Sequence, residues 1–358
     1  MSILKRSAHF DGTRDHPRPL ARLDNIRQAA KDFRRDLLAQ QKLRYFQSLE
    51  LVRVPYPTQY AYLNAYRGIS RYLHLCNRLF VIQFNSPDGV KTLLVGPSDW
   101  ENQRETPFFD RLNKSAGPFA SVAESLIFKK TATVPERLKE IGLDPAEVDY
   151  ITYDHLHTQN VRRWLGADGQ PAVFPNAKLL VFRAEWESTQ ALIPWQSQWY
   201  CPNGIAGVPM DKVELLDHDV FLGEGVALVR TTGHTIGNHS IVAHTDGGIF
   251  VTSENGVSLD AYAPALSRVP GVAQYAQITG AEVVLNGNTL EYGVDQYLSM
   301  VQEKEIAGPS QADERVPNLA PSSESAGYWL FPQTAPTLVR GELRFGSLWQ
   351  RQQQQAAA

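Results

Sequence analysis

The sequence predicts a mixed α/β fold in which layers of β-sheet are covered by helices. Runs with the character of strands outnumber the helical patterns along the 358 residues, and helical patterns interrupt the series of strands. Hydrophobic residues make up 43% of the chain and charged residues 20%, which is typical of a folded protein with a sizeable core. The length fits one large domain with additions, or two domains.

The first predicted element is a helix over residues 24–47. Apolar side chains recur there at helical spacing while basic side chains fill the other faces, the apolar ones being Ile26, Ala30, Phe33 and Leu37. Asp24 or Asn25 is expected to cap its start.

A β-hairpin is predicted next, with strands over residues 72–84 and 90–95. The turn between them contains Pro87, Asp88 and Gly89. Proline presets φ and glycine accepts the left-handed conformation, so this tripeptide between two apolar runs favours a tight turn.

Helix and strand patterns then alternate through the centre of the chain. A helix is predicted over PERLKEIGL, residues 135–143. Apolar runs predict further strands at residues 148–153, 177–182, 226–230, 240–243, 249–252 and 282–285. Residues 307–327, rich in Pro, Ser, Ala and Gly, are expected to form a linker or long loop, and the apolar residues 328–350 to dock on the main body.

Charge and cysteine usage exclude several classes of protein. The chain has 35 Lys and Arg against 38 Asp and Glu, a net charge of −3, so a nucleic-acid partner is not expected. Cys76 and Cys201 have no neighbouring cysteine, which argues against a disulfide framework and a thiolate zinc site. No run approaches the roughly 18–20 apolar residues of a membrane span, and no secretory signal is recognisable. The expectation is a soluble, cytoplasmic protein without a membrane partner.

Two histidines directly follow a predicted buried strand. His155 and His157 are two positions apart, and in an extended chain such side chains point to the same side. His234 follows another strand in a loop where Gly233 and Gly237 permit a tight turn. Three neutral imidazoles with one open position are the ligands of a catalytic zinc ion. Structural histidines remain the alternative on spacing alone.

Four segments resemble the metallo-β-lactamase superfamily. RLKEIGLDPAEVDYITYDHLHTQN resembles its helix, Asp-Pro turn, strand and HxHxDH loop, and FPNAKLLVFRAEWE resembles the segment that follows in its hydrolases and lactonases. LLDHDVFLGEGVALVRTTGHTIGNHSIV resembles the strand leading to the third histidine, and GGIFVTSENG the strand that ends in Gly-Asp. The resemblance covers about residues 75–300 and implies an αββα sandwich. It divides the chain into a helical and strand extension (1–70), a metallo-β-lactamase-like domain (71–306), and a linker with a C-terminal extension (307–358).

The resemblance implies that His155, His157 and His234 hold the metal. Glu254 takes the position of the family's bridging Asp, and Gln159 and Asn160 replace the Asp and His of the HxHxDH motif. The family's last histidine falls near Asn288. One zinc ion is therefore expected, with a second ion, iron or manganese left open.

The implied function is a hydrolase in which metal-bound hydroxide attacks an ester, lactone or amide carbonyl of a small-molecule substrate. Glu254 completes the metal shell or acts as base, with Asp154 as the second choice for the base. Gln159 and Asn160 hold the substrate or bond to backbone. Trp186, in a cluster with Trp195, Trp199 and Tyr200, lines the substrate pocket or packs in the core.

Two other functions stay open at this stage. Three histidines also suit mononuclear iron, and some relatives in the superfamily use iron for oxygen chemistry. The altered HxHxDH motif fits a catalytically silent protein that uses the site for binding. Substrate identity and assembly into a homo-oligomer are also left open.

Overall fold

A computed structural model describes residues 4–115, 126–288 and 291–351. Its strands are β1 Lys5–Arg6, β2 Tyr45–Pro57, β3 Tyr72–Ser86, β4 Gly89–Val95, β5 Lys129–Lys130, β6 Tyr150–Thr152, β7 Lys178–Phe182, β8 Val213–Leu216, β9 Val220–Gly223, β10 Val226–Arg230, β11 His239–Thr245, β12 Gly248–Thr252, β13 Ser323–Ala326 and β14 Arg344–Gly346. Its α-helices are α1 Pro19–Leu38, α2 Thr58–Ala61, α3 Trp100–Gln103, α4 Pro107–Ser115, α5 Val134–Ile141, α6 Arg162–Leu165, α7 Arg183–Thr189, α8 Pro194–Ser197, α9 Leu259–Tyr262, α10 Val272–Thr279 and α11 Gly293–Ala307.

The described strands form two sheets. One is antiparallel, in the order β1-β9-β10-β11-β12. The other runs β14-β2-β3-β4-β6-β7-β8, with β13 paired to β3 and β5 to β2. In this second sheet β4, β6, β7 and β8 are parallel, so their carboxyl ends meet at one edge.

Both faces of the sheets are buried, which explains the continuous apolar runs in the sequence. On β10, Val226 and Leu228 face the space between the two sheets, where they pack with Phe80 and Phe250. The alternate residues of β10, Ala227 and Val229, pack on the other face against α1 and α11.

The outer face of the second sheet is covered in the same way. Leu138 of α5 and Trp164 of α6 pack against Ile151 of β6 and Leu179 of β7. The layers are therefore helices, sheet, sheet and helices, and the predicted αββα sandwich is confirmed. In the described part of the chain, no helix combines the length and apolar character needed to cross a bilayer.

The first helix differs from the predicted one at both ends. It begins at Pro19, whose fixed φ suits the first helical turn, and it ends at Leu38. The expected capping residues, Asp24 and Asn25, therefore lie inside the helix. The last residues of the predicted helix belong to β2, which pairs with β3 along most of its length.

The predicted strand at residues 282–285 is wrong. Val283 and Val284 are buried among helix residues of the outer layer, and Val284 donates its backbone N–H to the carbonyl of Ala261 at 2.8 Å. The segment has no strand conformation. The apolar residues of this segment are buried although the segment is irregular. In so short a run, a buried irregular segment and a strand have the same apolar pattern.

Residues 308–322, between α11 and β13, form a long loop that packs on the domain, which is one of the two alternatives expected for residues 307–327. Residues 316–325 are buried. The backbone N–H of Ala320 donates to the carbonyl of Val251 at 2.9 Å, and β13 adds to the second sheet. Strands from both predicted extensions, β2 on one side and β13 and β14 on the other, thus belong to the second sheet. The predicted domain boundaries stay a prediction. The last residues of the C-terminal extension, 352–358, lie outside the described residues.

Candidate metal centre

The loop after β6 carries two of the three predicted ligands. His155 and His157 lie there with their ring centroids 4.7 Å apart and their planes perpendicular. The chain reverses at Thr158, whose φ of +62° is uncommon for a β-branched residue. The backbone N–H of Thr158 donates to the carbonyl of Trp199 at 2.8 Å, which ties this loop to the segment around α8.

His234 approaches the same point from the loop between β10 and β11. Its ring centroid lies 4.5 Å from that of His155 and 4.9 Å from that of His157. Nε2 of His234 is 3.1 Å from Nδ1 of His157. One nitrogen from each of the three rings lies within 4.8 Å of the others, and all three residues are buried. The three histidines named from the sequence are thus brought together where they could hold a metal ion.

Asp154 fixes the orientation of His155. Its Oδ1 accepts a hydrogen bond from Nδ1 of His155 at 3.1 Å, which leaves Nε2 as the nitrogen available to a metal. Burial disfavours the charged form of His155, but the Asp154 carboxylate outweighs burial and raises the pKa of this histidine to about 9. A metal ion on Nε2 would therefore displace a proton.

The other two imidazoles are neutral. Burial, with a further contribution from His155, lowers the pKa values of His157 and His234 well below the ordinary range. Neutral imidazole is the form that binds a metal, so these rings need lose no proton to become ligands.

Glu254 lies on the Asp154 side of the cluster. Its carboxylate, that of Asp154 and a ring nitrogen of His155 come within 4.8 Å of one another, whereas the group formed with His157 and His234 does not include it. Burial, with the Asp154 carboxylate adding to it, raises the pKa of Glu254 to about 7. Glu254 thus belongs to a second group of side chains that could hold a metal ion, and its two expected roles, metal ligand and base, both stay predictions.

Both carboxylate oxygens of Asp154 are engaged in hydrogen bonds. Oδ2 accepts a hydrogen bond from the hydroxyl of Ser322 at 2.8 Å, while Oδ1 is engaged by His155. These contacts and the burial of the side chain support a positioning role for Asp154, and its expected role as a second choice for the base stays a prediction.

A cleft opens above the histidines and encloses about 580 Å³, including its open mouth. Apolar and aromatic side chains form much of its wall, namely Val54, Leu75, Tyr56, Phe108, Phe109 and Trp199. Amides add polar positions, namely Asn77, Gln103, Gln159 and Asn288. Phe108 stacks on Trp199 with ring centroids 4.6 Å apart, so these two rings form one continuous surface.

The predicted substrate residues divide between this cleft and other places. Gln159 lines the cleft, and its Oε1 accepts a hydrogen bond from the hydroxyl of Ser98 at 2.9 Å. Asn160 does not line it, because its side-chain oxygen accepts the backbone N–H of Arg162 at the start of α6.

Trp186 is the second predicted substrate residue that does not line the cleft. Helix α7 directs its ring into the core beside the second sheet and toward a separate cavity, so Trp199 takes the place that was expected for it. Of the other aromatic residues in that cluster, Tyr200 packs edge-on against the ring of His157 at 4.6 Å, and Trp195 is exposed.

Glu185 is a functional candidate that the sequence reasoning missed. Its side chain is fully buried at the start of α7, and Oε1 accepts the backbone N–H of Leu156 at 2.7 Å. Oε2 accepts the hydroxyl of Thr235 at 2.6 Å and the N–H of Gly237 at 3.2 Å. Glu185 therefore joins both histidine loops. The available signal was its place directly after a strand, since β6 and β7 are parallel neighbours whose carboxyl ends meet.

Asn255 was missed as well. Its Oδ1 accepts the backbone N–H of His234 at 3.0 Å, and its Nδ2 donates to the buried carboxylate of Glu303 at 2.7 Å. Glu303 also accepts the hydroxyls of Ser240 and Tyr262. This buried network fixes the backbone of the third histidine.

Comparison with known proteins supports the fold. No family model matches the chain. An N-acyl homoserine lactonase of Bacillus sp is 31% identical over 109 residues, which are 30% of this chain and 38% of that protein. The N-acyl homoserine lactonase AttM of Azorhizobium caulinodans is 30% identical over 136 residues, 35% of this chain and 47% of that protein. The matched stretch thus spans less than half of each of these relatives.

A solved structure shares the fold over most of its length. The "probable metal-dependent hydrolase" of Staphylococcus aureus aligns with a TM-score of 0.51 and 15% identity, covering 74% of this chain and 84% of that one. This similarity shows a shared fold, in keeping with the αββα layers described above.

Proposed function

We propose that this chain is a metal-dependent hydrolase that cleaves a lactone or another carboxylic ester with an apolar acyl part. The observation that carries the proposal is the convergence of three buried imidazoles at the floor of an aromatic cleft. Lactonase activity in the names of the relatives makes a lactone the first substrate to test.

The donor set fits a zinc ion. Two imidazole nitrogens bound tetrahedrally at roughly 2.0–2.1 Å from zinc lie about 3.3 Å from each other. The distance between Nδ1 of His157 and Nε2 of His234 is 3.1 Å, which is close to that value. His155 would complete the set through Nε2, with its other nitrogen held by Asp154. When bound, the ion would supply Lewis acidity toward a carbonyl oxygen and toward water.

The protein's own groups would manage the proton and the substrate. Glu254, whose pKa is raised to about 7, is placed to take a proton from the attacking water. The same carboxyl can return that proton to the alkoxide oxygen as the ester C–O bond breaks, so the reaction consumes one water and leaves an acid and an alcohol. The Gln159 amide on the wall of the cleft is our candidate for a polar contact to the substrate.

The wall of the cleft favours an apolar acyl group. Phe108 and Trp199 offer a stacked aromatic surface, and Val54 and Leu75 extend it. Burying apolar surface stabilises a bound ligand by about 0.8 kcal/mol for each methylene removed from water. Substrates with longer acyl chains are therefore expected to react with higher kcat/KM than short ones.

The test combines metal content with turnover. The purified protein is analysed for zinc, iron and manganese, and its hydrolysis of lactones and linear esters is measured with each metal supplied. His155→Ala and His234→Ala are expected to lose bound metal and turnover, while His218→Ala, at an exposed position, keeps both. A protein that binds no stoichiometric metal, or turnover that survives His234→Ala, would overturn the proposal. Oxygen uptake by an iron-loaded sample would favour oxygen chemistry instead.

A further inference from the structure

Two consecutive serines of the C-terminal segment reach the carboxylates beside His155. The hydroxyl of Ser322 lies 2.8 Å from Oδ2 of Asp154 and 3.4 Å from Oε2 of Glu254. The hydroxyl of Ser323 lies 3.2 Å from the same oxygen of Glu254. We propose that Ser322 and Ser323 are positioning residues that hold these two carboxylates in place for the centre. This inference rests on the proposed function.

The hydrogen-bond count assigns one hydroxyl to each carboxylate. A serine hydroxyl carries a single proton and can donate only one strong hydrogen bond. The shorter contact of Ser322 goes to Asp154, so its proton serves that residue, and Ser323 donates to Glu254. Both serines are buried, and Ser322 does not line the cleft, so water cannot easily replace the hydroxyl of Ser322 as a donor.

Without these donors Oδ2 of Asp154 and Oε2 of Glu254 would lose their hydroxyl partners, and His155 alone would remain beside both carboxylates. Oxygens of Asp154 and Glu254 come within 4.8 Å in a buried setting, where repulsion between two negative charges is weakly screened. Ser322 acts on the metal ligand through Asp154, because the other oxygen of Asp154 holds Nδ1 of His155. Ser323 acts on the base through Glu254.

The segment that carries the serines is firmly anchored. β13 pairs with β3 in register, with Ser323 opposite Asn77. The carbonyl of Ser322 accepts the backbone N–H of Arg78 at 3.2 Å. Glu324, the residue after Ser323, forms a buried ion pair with Arg78, and its carboxylate accepts the backbone N–H of Arg340 at 2.7 Å. The hydroxyls are therefore fixed from both sides.

The experiment measures zinc affinity and turnover separately. Zinc dissociation constants are obtained on the full-length apoprotein by competition with a chromophoric chelator, and kcat and KM on the best lactone of the panel. Loss of the residue that hydrogen-bonds a metal-bound histidine typically weakens metal binding 10–100-fold, and Ser322 lies one hydrogen bond further out, behind Asp154. Ser322→Ala is therefore expected to raise the zinc Kd by about tenfold, whereas Ser323→Ala lowers kcat and leaves KM and the zinc Kd nearly unchanged.

Matched variants separate positioning from folding. Ser322→Thr keeps the hydroxyl and is expected to keep the zinc Kd, while the similarly sized Ser322→Cys, a weak donor, weakens it. Ser325→Ala is the control, because this buried serine of β13 forms no hydrogen bond to either carboxylate in the part of the chain that the structure describes. Wild-type zinc Kd in Ser322→Ala and Ser322→Cys, with wild-type kcat in Ser323→Ala, would overturn the inference. Failure of the wild-type protein to bind zinc, iron or manganese would instead overturn the proposed function.

Discussion

The carboxylate of Glu185 accepts the backbone N–H of Leu156, the residue between His155 and His157, at 2.7 Å. Its other oxygen bonds the loop of His234 through Thr235. A single buried side chain thus sets the distance between two loops that come from different strands. Three donors compensate for the burial that raises the pKa of this carboxyl.

Glu185→Gln is expected to weaken zinc binding and to destabilise the fold. An amide keeps one acceptor but turns an N–H₂ group toward a donor of one loop, leaving a buried group without its partner, a loss of about 1–3 kcal/mol. Glu185→Asp keeps the charge but is too short to span both loops. Urea unfolding of the apoprotein and zinc competition titration measure the two effects.

The matched control for Glu185 lies on the same helix. Glu187 is 60% exposed at its side chain and faces Arg183 across 3.8 Å, so Glu187→Gln is expected to change neither quantity measurably. Equal zinc affinities for Glu185→Gln, Glu185→Asp and Glu187→Gln would refute a role of Glu185 in spacing the ligand loops.

The close contact between Glu185 and the His234 loop requires a glycine at position 237. A Cβ added at this position would lie 2.2 Å from the backbone nitrogen of Glu185, which cannot move without displacing α7. Gly237→Ala is therefore expected to push the His234 loop away and to lower the unfolding free energy by about 1–3 kcal/mol. Gly293→Ala, at a position with open space around it, should leave thermal unfolding and zinc binding unchanged. Similar behaviour of the two variants would contradict the close packing of this loop.

Local patterns in the sequence predicted the parts of the site that local geometry decides. His155 and His157 converge because they are two positions apart in a loop that follows a strand, and the strand is recognisable from its apolar run. The hairpin around Pro87 and Gly89 is decided in the same way by turn chemistry. These features need only neighbours along the chain.

The partners that complete the site depend on contacts that no local pattern contains. Ser322 is 168 positions from the Asp154 carboxylate it bonds, and the turn-forming composition around it is equally typical of a solvent-exposed linker. Trp186 and Trp199 belong to one aromatic-rich stretch, and only the direction of α7 decides which ring reaches the cleft. Tertiary packing therefore assigned the roles that composition left open.

The aromatic wall of the cleft predicts that kcat/KM rises with the length of the substrate's acyl chain. Trp199→Ala and Phe108→Ala remove the two halves of the stacked surface, so the gain in kcat/KM for each added acyl methylene is expected to shrink from about fourfold toward onefold. Rates on lactones with acyl chains of increasing length, measured at equal metal loading, provide the slope. Trp195→Ala is the control, since that ring is exposed and does not line the cleft. An unchanged slope in Trp199→Ala would place the acyl chain elsewhere.

Asp219 gives the fold a pH dependence that is independent of the histidines. Its side chain is buried, Oδ1 accepts the backbone N–H of Arg230 at 2.8 Å, and burial raises its pKa to about 6. An unfolded aspartate titrates near pH ~3.9, so between about pH 4 and pH 6 the folded protein keeps a proton that the unfolded chain has released. The free energy of unfolding therefore falls as the pH rises through this window, by up to about 3 kcal/mol.

Asp219→Asn removes this titration, and its amide oxygen can still accept the N–H of Arg230. Relative to wild type, the variant is expected to gain about 2–3 kcal/mol of unfolding free energy between pH 4 and pH 7, measured by urea denaturation. Asp217 is an exposed carboxylate whose pKa is lowered by its hydrogen bond to Arg183, so it is ionised in both the folded and the unfolded state above about pH 4, and Asp217→Asn should show no such pH-dependent gain. A pH-independent difference between Asp219→Asn and wild type would mean that the buried carboxyl is already ionised at pH 4, because its hydrogen bond to Arg230 then outweighs its burial.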